Sequence, residues 1–381
     1  MVSPVNRLSV LGGMRAFGGS VVWPFVGVAL NTVYHLSLID VAIFYAAQGG
    51  VTSVAYLIGG LLADYLGRKK AMQVSAMLSA LALLAGFIVE EGKWVTFFLL
   101  FQTFFNSVYQ VANTAAVGDT TSEIGNLIRA FSRVRVGINI GWAAGPALGG
   151  LLFHYNFSLC LLASAAITLA SVPLVPRVEV GGIRVLSLRV NRSYVRFLLP
   201  NFLAATVMGQ LGFPLIEYLS TVRVSTTFAG LLFTLNGVLI VAFQEPVGRF
   251  LAKFNPVLGL SLAMIGYGIS YFSFSLVRNF LDGMVCVVGV TTAEMIASPL
   301  INALANYLAD KSNRGKYMGA FGLTTSLGRT IGTSISAGLM GWFPYDGLVL
   351  WGAVAIFAFS SAFLFWRLPL DFENSQGEPK D

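Results

Sequence analysis

Long apolar segments, separated by short polar intervals, dominate this chain. Of its 381 residues, 56% are hydrophobic and only 11% are charged, whereas an ordinary soluble domain is about 25% charged. A helix of roughly 20 apolar residues spans a bilayer, and its backbone polar groups must pair internally because no water reaches the hydrocarbon. The pattern therefore predicts an all-α integral membrane protein.

Twelve segments have this length, and a polar interval divides them into two sets of six. The predicted spans are about 8–34, 41–63, 71–90, 94–115, 134–154, 157–176, 198–219, 228–247, 256–277, 283–305, 317–342 and 346–367. The interval 177–197 is the longest polar one and predicts a cytoplasmic linker. We expect two pseudo-symmetric six-helix bundles over residues 1–176 and 198–381, the second with a short cytoplasmic tail.

Recurring glycines indicate that the two bundles arose by duplication. The matches have offsets of 187 and 188 residues, and they pair Gly141-x3-Gly145 with Gly328-x3-Gly332 and Gly60 with Gly248. Each pair occupies equivalent positions in the six-plus-six pattern, which makes the repetition more informative than glycine content alone.

Lysine and arginine lie mainly in alternate intervals. One set of intervals holds 19 of the 24 cations, counting Arg135 at the very start of span 5 with the interval before it, and the other set holds three. Arg15 and Arg329 lie inside predicted spans. Because cytoplasmic loops carry the excess of Lys and Arg, we expect a plasma-membrane protein with both termini in the cytoplasm. The net charge of +7 does not indicate a nucleic-acid partner, because the cations are dispersed among loops.

The interval between spans 2 and 3 reads GGLLADYLGRKK, residues 59–70. Its pattern is G-x3-D-x2-G-x-[RK]-[RK], formed by Gly60, Asp64, Gly67, Arg68, Lys69 and Lys70. This pattern resembles the signature loop of the major facilitator superfamily, although Tyr65 stands where that family usually has a cation. The three cations suit anionic lipid headgroups, and membrane lipids are therefore expected partners.

Asp64 stands at a membrane boundary, where a carboxylate can accept hydrogen bonds from the N-terminus of a neighbouring helix. The family resemblance implies that this neighbour is span 11, beginning near Lys316. Asp64 would then hold the two halves together in an outward-facing state. The alternative is that the cations beside it merely set the topology.

Span 5 contains a second motif, GWAAGPALGG. It resembles the antiporter signature of the superfamily's drug–proton branch, and its members are Gly141, Gly145, Pro146, Gly149 and Gly150. Trp23-Pro24 in span 1 resembles the proline motif of the same branch. Glycines repeated every four residues make a smooth face for close packing. This face could serve ordinary helix packing, or it could form a seal or pivot against the other half.

Spans 4, 7 and 10 carry polar side chains at helical spacing. These are Gln102, Asn106 and Tyr109 in span 4, Gln210 and Glu217 in span 7, and Thr291, Glu294 and Ser298 in span 10. Ionisable groups inside spans are costly and usually face a cavity. The resemblance implies that spans 1, 4, 7 and 10 line a central cavity, to which span 1 would contribute Arg15 and Trp23.

Glu294 has two interpretations. A carboxyl group in a poorly hydrated cavity could load and release protons during transport. Alternatively, Glu294 could be a structural partner of Arg329 or Arg15. Arg329 could in turn bind an anionic substrate group. The drug–proton branch usually has an arginine in span 4, and its nearest counterpart here is Gln102, which weakens the proton interpretation.

The sequence thus predicts a secondary transporter rather than an enzyme, working by alternating access as a monomer. Proton-coupled efflux of small amphipathic compounds is the favoured activity, with a small-molecule substrate and protons as partners. The alternatives are uptake of a metabolite or organic anion through Arg15 and Arg329, and a non-transporting receptor or assembly factor. We expect no cofactor and no metal, because there is no GxxxxGK[ST] loop and neither His35 nor His154 has a ligand cluster around it.

Overall fold

The computed structural model describes residues 3–178, 190–221, 226–343 and 346–368, and their regular structure is entirely helical. Twelve long helices form the bundle. They are α1 Pro4–Thr32, α2 Leu38–Leu66, α3 Arg68–Ile88, α4 Gly92–Gly118, α5 Ile124–Tyr155, α6 Phe157–Leu174, α7 Arg192–Leu219, α8 Thr226–Leu251, α9 Pro256–Leu276, α10 Phe280–Leu308, α11 Arg314–Trp342 and α12 Gly347–Trp366. The predicted all-α membrane architecture is confirmed.

Within the described residues, eleven of these helices are long and apolar enough to cross a membrane. The exception is α11, which has 29 residues but carries Arg314, Lys316 and Arg329 among small and hydroxyl side chains. Most of the predicted linker 177–197 lies outside the described residues. Its last part is helical, because α7 already begins at Arg192.

Local sequence signals set several helix starts. Ser37 and Asp40 form a reciprocal capping box at the start of α2, in which each side chain accepts a hydrogen bond from the other residue's backbone N–H. This arrangement satisfies donors that a helix start leaves unpaired. Gly67 separates α2 from α3 with a φ of 81°, a conformation that glycine adopts without strain. Gly67 thus allows the tight turn between the two helices.

The glycine face of α5 packs on α1, in the same half of the molecule. A Cβ atom added at Gly145 would overlap Ser20 and lie 2.8 Å from the carbonyl oxygen of Phe17. One added at Gly141 would lie 2.7 Å from the backbone nitrogen of Phe17. Interpreting this face as a seal or pivot against the other half is therefore wrong. Its glycines allow two helices of one bundle to approach closely.

The corresponding glycines of α11 make the same kind of contact in the second half. Gly332 packs against the backbone of Thr206 in α7, and Gly328 packs against the carbonyl of Phe202. Both glycines are covered by α7 and therefore do not leave room around Arg329. The pairs α1–α5 and α7–α11 are equivalent in the two halves.

The halves meet at one end of the bundle, where α1 begins and where the α2–α3 turn carries Arg68, Lys69 and Lys70. We name this end the basic face. Here Gly60 of α2 packs on Gly315 of α11, and Gly248 of α8 packs on Ser132 of α5. The matched glycines Gly60 and Gly248 therefore make equivalent contacts between the halves.

Toward the opposite face the helices of the two halves separate. A Cβ atom added at Gly49 or Gly50 of α2, at Gly237 of α8, or at Gly338 of α11 would have no described atom within 4 Å. The bundle is thus closed at the basic face and parted at the opposite face.

Candidate functional site

A cavity of about 440 Å³ lies between the two halves, lined by residues of α1, α4, α5, α6, α10 and α11. Eight of the predicted cavity residues line it: Arg15, Trp23, Gln102, Asn106, Tyr109, Glu294, Ser298 and Arg329. The lining is rich in side-chain amides and guanidinium groups. It can therefore offer both hydrogen-bond donors and acceptors to a bound molecule.

Three predicted cavity residues lie elsewhere. Gln210 donates to the carbonyl of Thr206 over 2.8 Å and accepts from the hydroxyl of Ser336 over 2.7 Å, so it joins α7 to α11. Glu217 is exposed and does not line the cavity. Thr291 is buried and accepts a hydrogen bond over 3.0 Å from the amide of Asn236, which also donates to Glu294. In span 7, Gln210 therefore faces its own bundle, which helical spacing alone could not determine.

Glu294 forms an ion pair with Arg135 that joins the halves across the cavity. The distance from Arg135 Nη2 to Glu294 Oε1 is 2.7 Å, and the two side chains are 16% and 18% exposed. Arg135 also donates to the hydroxyl of Ser298. The other carboxylate oxygen of Glu294 accepts from the amide of Asn236 over 2.9 Å. Both carboxylate oxygens are thus held in a defined geometry.

Arg15 and Arg329, which were predicted as partners of Glu294, do not take part in this ion pair. Arg135 was expected in a loop, but α5 begins at Ile124 rather than near residue 134. Arg135 therefore lies about three helical turns inside α5. The arginines end the continuous apolar run that predicted span 5, but apolar residues continue at helical spacing upstream of them, and the helix extends to Ile124.

Arg15 occupies the wall of the first half. Its Nη2 donates to Asn106 Oδ1 over 2.6 Å, and its guanidinium carbon lies 4.7 Å from the ring centre of Tyr109. Its Nε and Nη1 are buried without a hydrogen-bond partner among the described residues, as are Gln102 Oε1 and the Tyr109 hydroxyl. Buried polar groups are nearly always paired, so this wall has spare hydrogen-bonding capacity.

Arg329 reaches the cavity from α11 and is exposed there. The cavity lining contains three arginines, at positions 15, 135 and 329, and Glu294 as the one carboxylate among its described residues. The site therefore has an excess of positive charge even when the ion pair is intact.

Asp64 lies at the basic face, where its carboxylate contacts the first turn of α11. Oδ1 and Oδ2 accept from the backbone N–H groups of Gly315 and Lys316, each over 2.8 Å. Arg68 Nη1 donates to Oδ1 over 2.6 Å. A carboxylate at a helix N-terminus is favoured by the unpaired N–H groups and by the helix dipole. This is the contact that the family resemblance implied.

The same network extends to α4 through two residues that the motif analysis missed. Arg68 Nε donates to Asp119 Oδ2 over 2.8 Å, and Arg314 donates to the other oxygen of Asp119. Asp64, Arg68, Asp119 and Arg314 thus form a chain of alternating charges, which we name the basic-face network. The network joins α2 and α4 to α11. Lys69 and Lys70 are not part of it.

Residues 8–182 and 185–380 match the family model of the Major Facilitator Superfamily. The chain belongs to this superfamily. It is therefore a secondary transporter of small molecules, not an enzyme. This assignment agrees with a central cavity enclosed between two matched bundles.

Relatives of this superfamily member are similar over most of their length. The MFS-type transporter YttB of Bacillus subtilis is 28% identical over 356 residues, which cover 87% of each chain. A Na(+), Li(+), K(+)/H(+) antiporter of Planococcus maritimus is 24% identical over 392 residues, covering 86% of this chain and 91% of the relative.

Solved structures share the fold at lower sequence identity. The human organic anion transporter MFSD10 superposes with a TM-score of 0.80 at 16% identity, covering 95% of this chain and 98% of that one. A bacterial homologue of the iron transporter ferroportin, in its outward-facing state, gives a TM-score of 0.81 at 16% identity, covering 96% and 99%.

Proposed function

We propose that this protein exports small amphipathic compounds by proton-coupled alternating access, with Glu294 as the proton-carrying carboxylate. The observation that carries the proposal is the Arg135–Glu294 ion pair, which joins α5 of one half to α10 of the other inside the cavity. A coupling group must be reachable from the cavity and must also act on the contact between the halves. Glu294 meets both requirements.

Protonation of Glu294 would neutralise the carboxylate and remove its attraction for Arg135. Removing one partner of a buried ion pair leaves the other charge uncompensated, at a cost of about 3–5 kcal/mol. Water or an anionic group of the substrate could compensate Arg135 in its place. Proton binding would thereby lower the energy needed to separate α5 from α10.

The basic-face network would act as the latch of the outward-facing state. Its position at the face where Lys and Arg are concentrated supports a cytoplasmic location for that face. In this orientation the cavity opens to the outside while Asp64 and its partners close the cytoplasmic end. Opening toward the cytoplasm would require Asp64 to release the first turn of α11.

The cavity lining supports an amphipathic substrate. Trp23, Tyr109 and Trp142 supply aromatic surface, while the amides and arginines supply polar contacts. Aromatic rings combine apolar area with defined stacking geometry. The P. maritimus antiporter, whose name specifies proton exchange, adds support for proton coupling in this chain.

A second candidate is the transport of an organic anion. The unpartnered N–H groups of Arg15 and the exposed Arg329 favour it, because guanidinium groups bind carboxylates and phosphates in a bidentate geometry. Similarity of fold to an organic anion transporter agrees with this candidate.

Flux in proteoliposomes under an imposed pH gradient tests the proposal. For a substrate identified by thermal-shift screening, we expect transport opposite to the direction of proton flow. In Glu294→Gln we expect no gradient-driven transport but preserved substrate exchange. Substrate movement in the direction of proton flow would favour uptake instead. If gradient-driven transport were unchanged in Glu294→Gln, Glu294 would not be the coupling residue. If no ligand that stabilises the protein were transported, the protein would be better described as a receptor.

A further inference from the structure

A second concave surface lies at the basic face, where the two halves meet outside the central cavity. This groove has a volume of about 610 Å³, and its lining is Arg129, Arg133, Arg249, Phe250 and Lys253. Arg129 and Arg133 belong to α5, Arg249 and Phe250 belong to α8, and Lys253 follows α8. We name it the α5–α8 groove.

The groove has an excess of positive charge. Within the described residues, Glu245 is the carboxylate that pairs with cations of the groove. Its Oε1 lies 2.8 Å from Arg133 Nη2 and 2.9 Å from Arg249 Nη2. Arg129 and Lys253 are exposed and have no ion pair there. Glu123, at the start of α5, instead accepts from the amide of Asn126 over 2.6 Å. Four cations therefore converge around one carboxylate.

Aromatic side chains adjoin these cations at the membrane boundary. Phe250 and Phe254 are 61% and 50% exposed, and their ring centres are 4.4 Å apart. Phe243, about two turns earlier on α8, is also exposed. An anionic group with an apolar chain would satisfy both parts of this surface, whereas a free anion would use only the cations.

We propose that the α5–α8 groove binds the phosphate headgroup of an anionic membrane lipid, with its acyl chain against the phenylalanines of α8. Each cation near an anionic membrane surface contributes about 1 kcal/mol of attraction. Arg133 and Arg249 share Glu245. Lys253, which has no ion pair among the described residues, is therefore the most available cation on the α8 side of the groove.

The groove crosses the contact between the halves, and this gives lipid binding a consequence for conformation. Gly125 of α5 packs against Ala252, which follows α8, and Gly248 packs against Ser132. Separating the halves at the basic face would divide the four cations between two bodies. A headgroup therefore binds the closed basic face more tightly and shifts the population toward that state.

Lipid retention in native mass spectrometry tests the binding step without requiring transport. The full chain is reconstituted in phosphatidylglycerol–phosphatidylcholine mixtures and compared with Arg249→Gln/Lys253→Gln. The matched control is Arg192→Gln/Arg196→Gln, which removes two exposed cations from the basic-face end of α7. About 1 kcal/mol per cation corresponds to about fivefold in affinity, so we expect phosphatidylglycerol preference to fall by roughly 25-fold in the first variant only.

A second variant changes the affinity in the opposite direction. Glu245→Gln removes the competing carboxylate, and we expect phosphatidylglycerol preference to rise several-fold. Equal losses in the groove and control variants, or no gain in Glu245→Gln, would overturn the site. Displacement of the lipid by millimolar inorganic phosphate would overturn the lipid assignment and indicate a free-anion site.

The conformational step has its own measurement. Labels at Ile39→Cys and Trp342→Cys, both exposed at the opposite face, report the separation of α2 and α11. Phosphatidylglycerol should increase the fraction with widely separated labels, and Arg249→Gln/Lys253→Gln should abolish that increase. A label distribution that does not depend on phosphatidylglycerol would refute the conformational consequence.

Discussion

The ion pair between Arg135 and Glu294 allows a prediction about the stability of the folded protein. Arg135→Gln leaves the largely buried carboxylate of Glu294 without its cation, and breaking such a pair costs about 3–5 kcal/mol. We expect this variant to unfold at a lower temperature than the parent at neutral pH. Removing the carboxylate as well should restore part of this stability, because no uncompensated charge is then buried. Thermal unfolding in detergent provides the measurement.

The double variant Arg135→Gln/Glu294→Gln is the internal control. It removes both charges, so its unfolding temperature should lie closer to that of the parent than the temperature of Arg135→Gln does. Arg192→Gln, at an exposed position of α7, should behave like the parent. If Arg135→Gln unfolded at the same temperature as the parent and the double variant, the ion pair would not contribute to stability.

Sequence analysis identified Glu294 without its partner Arg135, and it identified Asp64 and Arg68 without Asp119 and Arg314, which complete the basic-face network. Glu294 and Asp64 were recognisable because a carboxylate within or beside an apolar run is costly unless it has a role. Arg135 and Asp119 were missed because both stand next to other polar residues, where a helix end and a loop look alike. Which charges meet depends on how the two halves dock, and a linear pattern contains no information on that docking.

The glycine face of α5 allows a prediction about close helix packing. A methyl group at Gly145 would overlap Ser20 and approach the carbonyl of Phe17, whereas one at Gly150 would lie 3.7 Å from its nearest neighbour, Phe25. Overpacking typically costs about 1–3 kcal/mol. We therefore expect Gly145→Ala to be less stable than Gly150→Ala by about this amount, as measured by thermal unfolding.

Gly150→Ala is the matched control because both changes add the same intrinsic helix preference, about 1 kcal/mol for alanine over glycine. Their difference therefore isolates the packing of α5 on α1. Equal stability of the two variants would show that α1 can move away from α5 without cost, and that the glycine face is not needed for packing.

The helices were predictable in number, but their ends and faces were less so. Apolar length located α11 over 317–342 even though Arg329 interrupts it, and it missed the first turn that carries Arg314 and Lys316. The same criterion placed the start of α5 ten residues too late. Span 7 illustrates a further limit, since helical spacing predicted one face for Gln210 and Glu217, whereas the helix is interrupted between Met208 and Phe213 and Glu217 is exposed.

The equilibrium between outward-facing and inward-facing forms is where the basic-face network should have its largest effect. Asp64→Asn keeps the shape of the side chain but removes the charge that accepts from Gly315 and Lys316 and pairs with Arg68. Hydrogen bonds to charged groups contribute about 1.5–3 kcal/mol, which corresponds to a shift of roughly tenfold to a hundredfold in the equilibrium. We expect the inward-facing population to rise accordingly, seen as shorter distances between labels at Ile39→Cys and Trp342→Cys.

Asp310→Asn is the matched control for this shift. Asp310 is exposed, caps the short turn before α11 and lies outside the basic-face network; asparagine can replace it as a cap. A second comparison, Lys69→Gln/Lys70→Gln, removes the two motif cations that make no contact with Asp64. If Asp64→Asn leaves the label distances unchanged while Lys69→Gln/Lys70→Gln alters membrane orientation, the motif sets topology and does not hold the halves together. If only Asp64→Asn shifts the distances, closure of the basic face depends on one carboxylate at the start of α11.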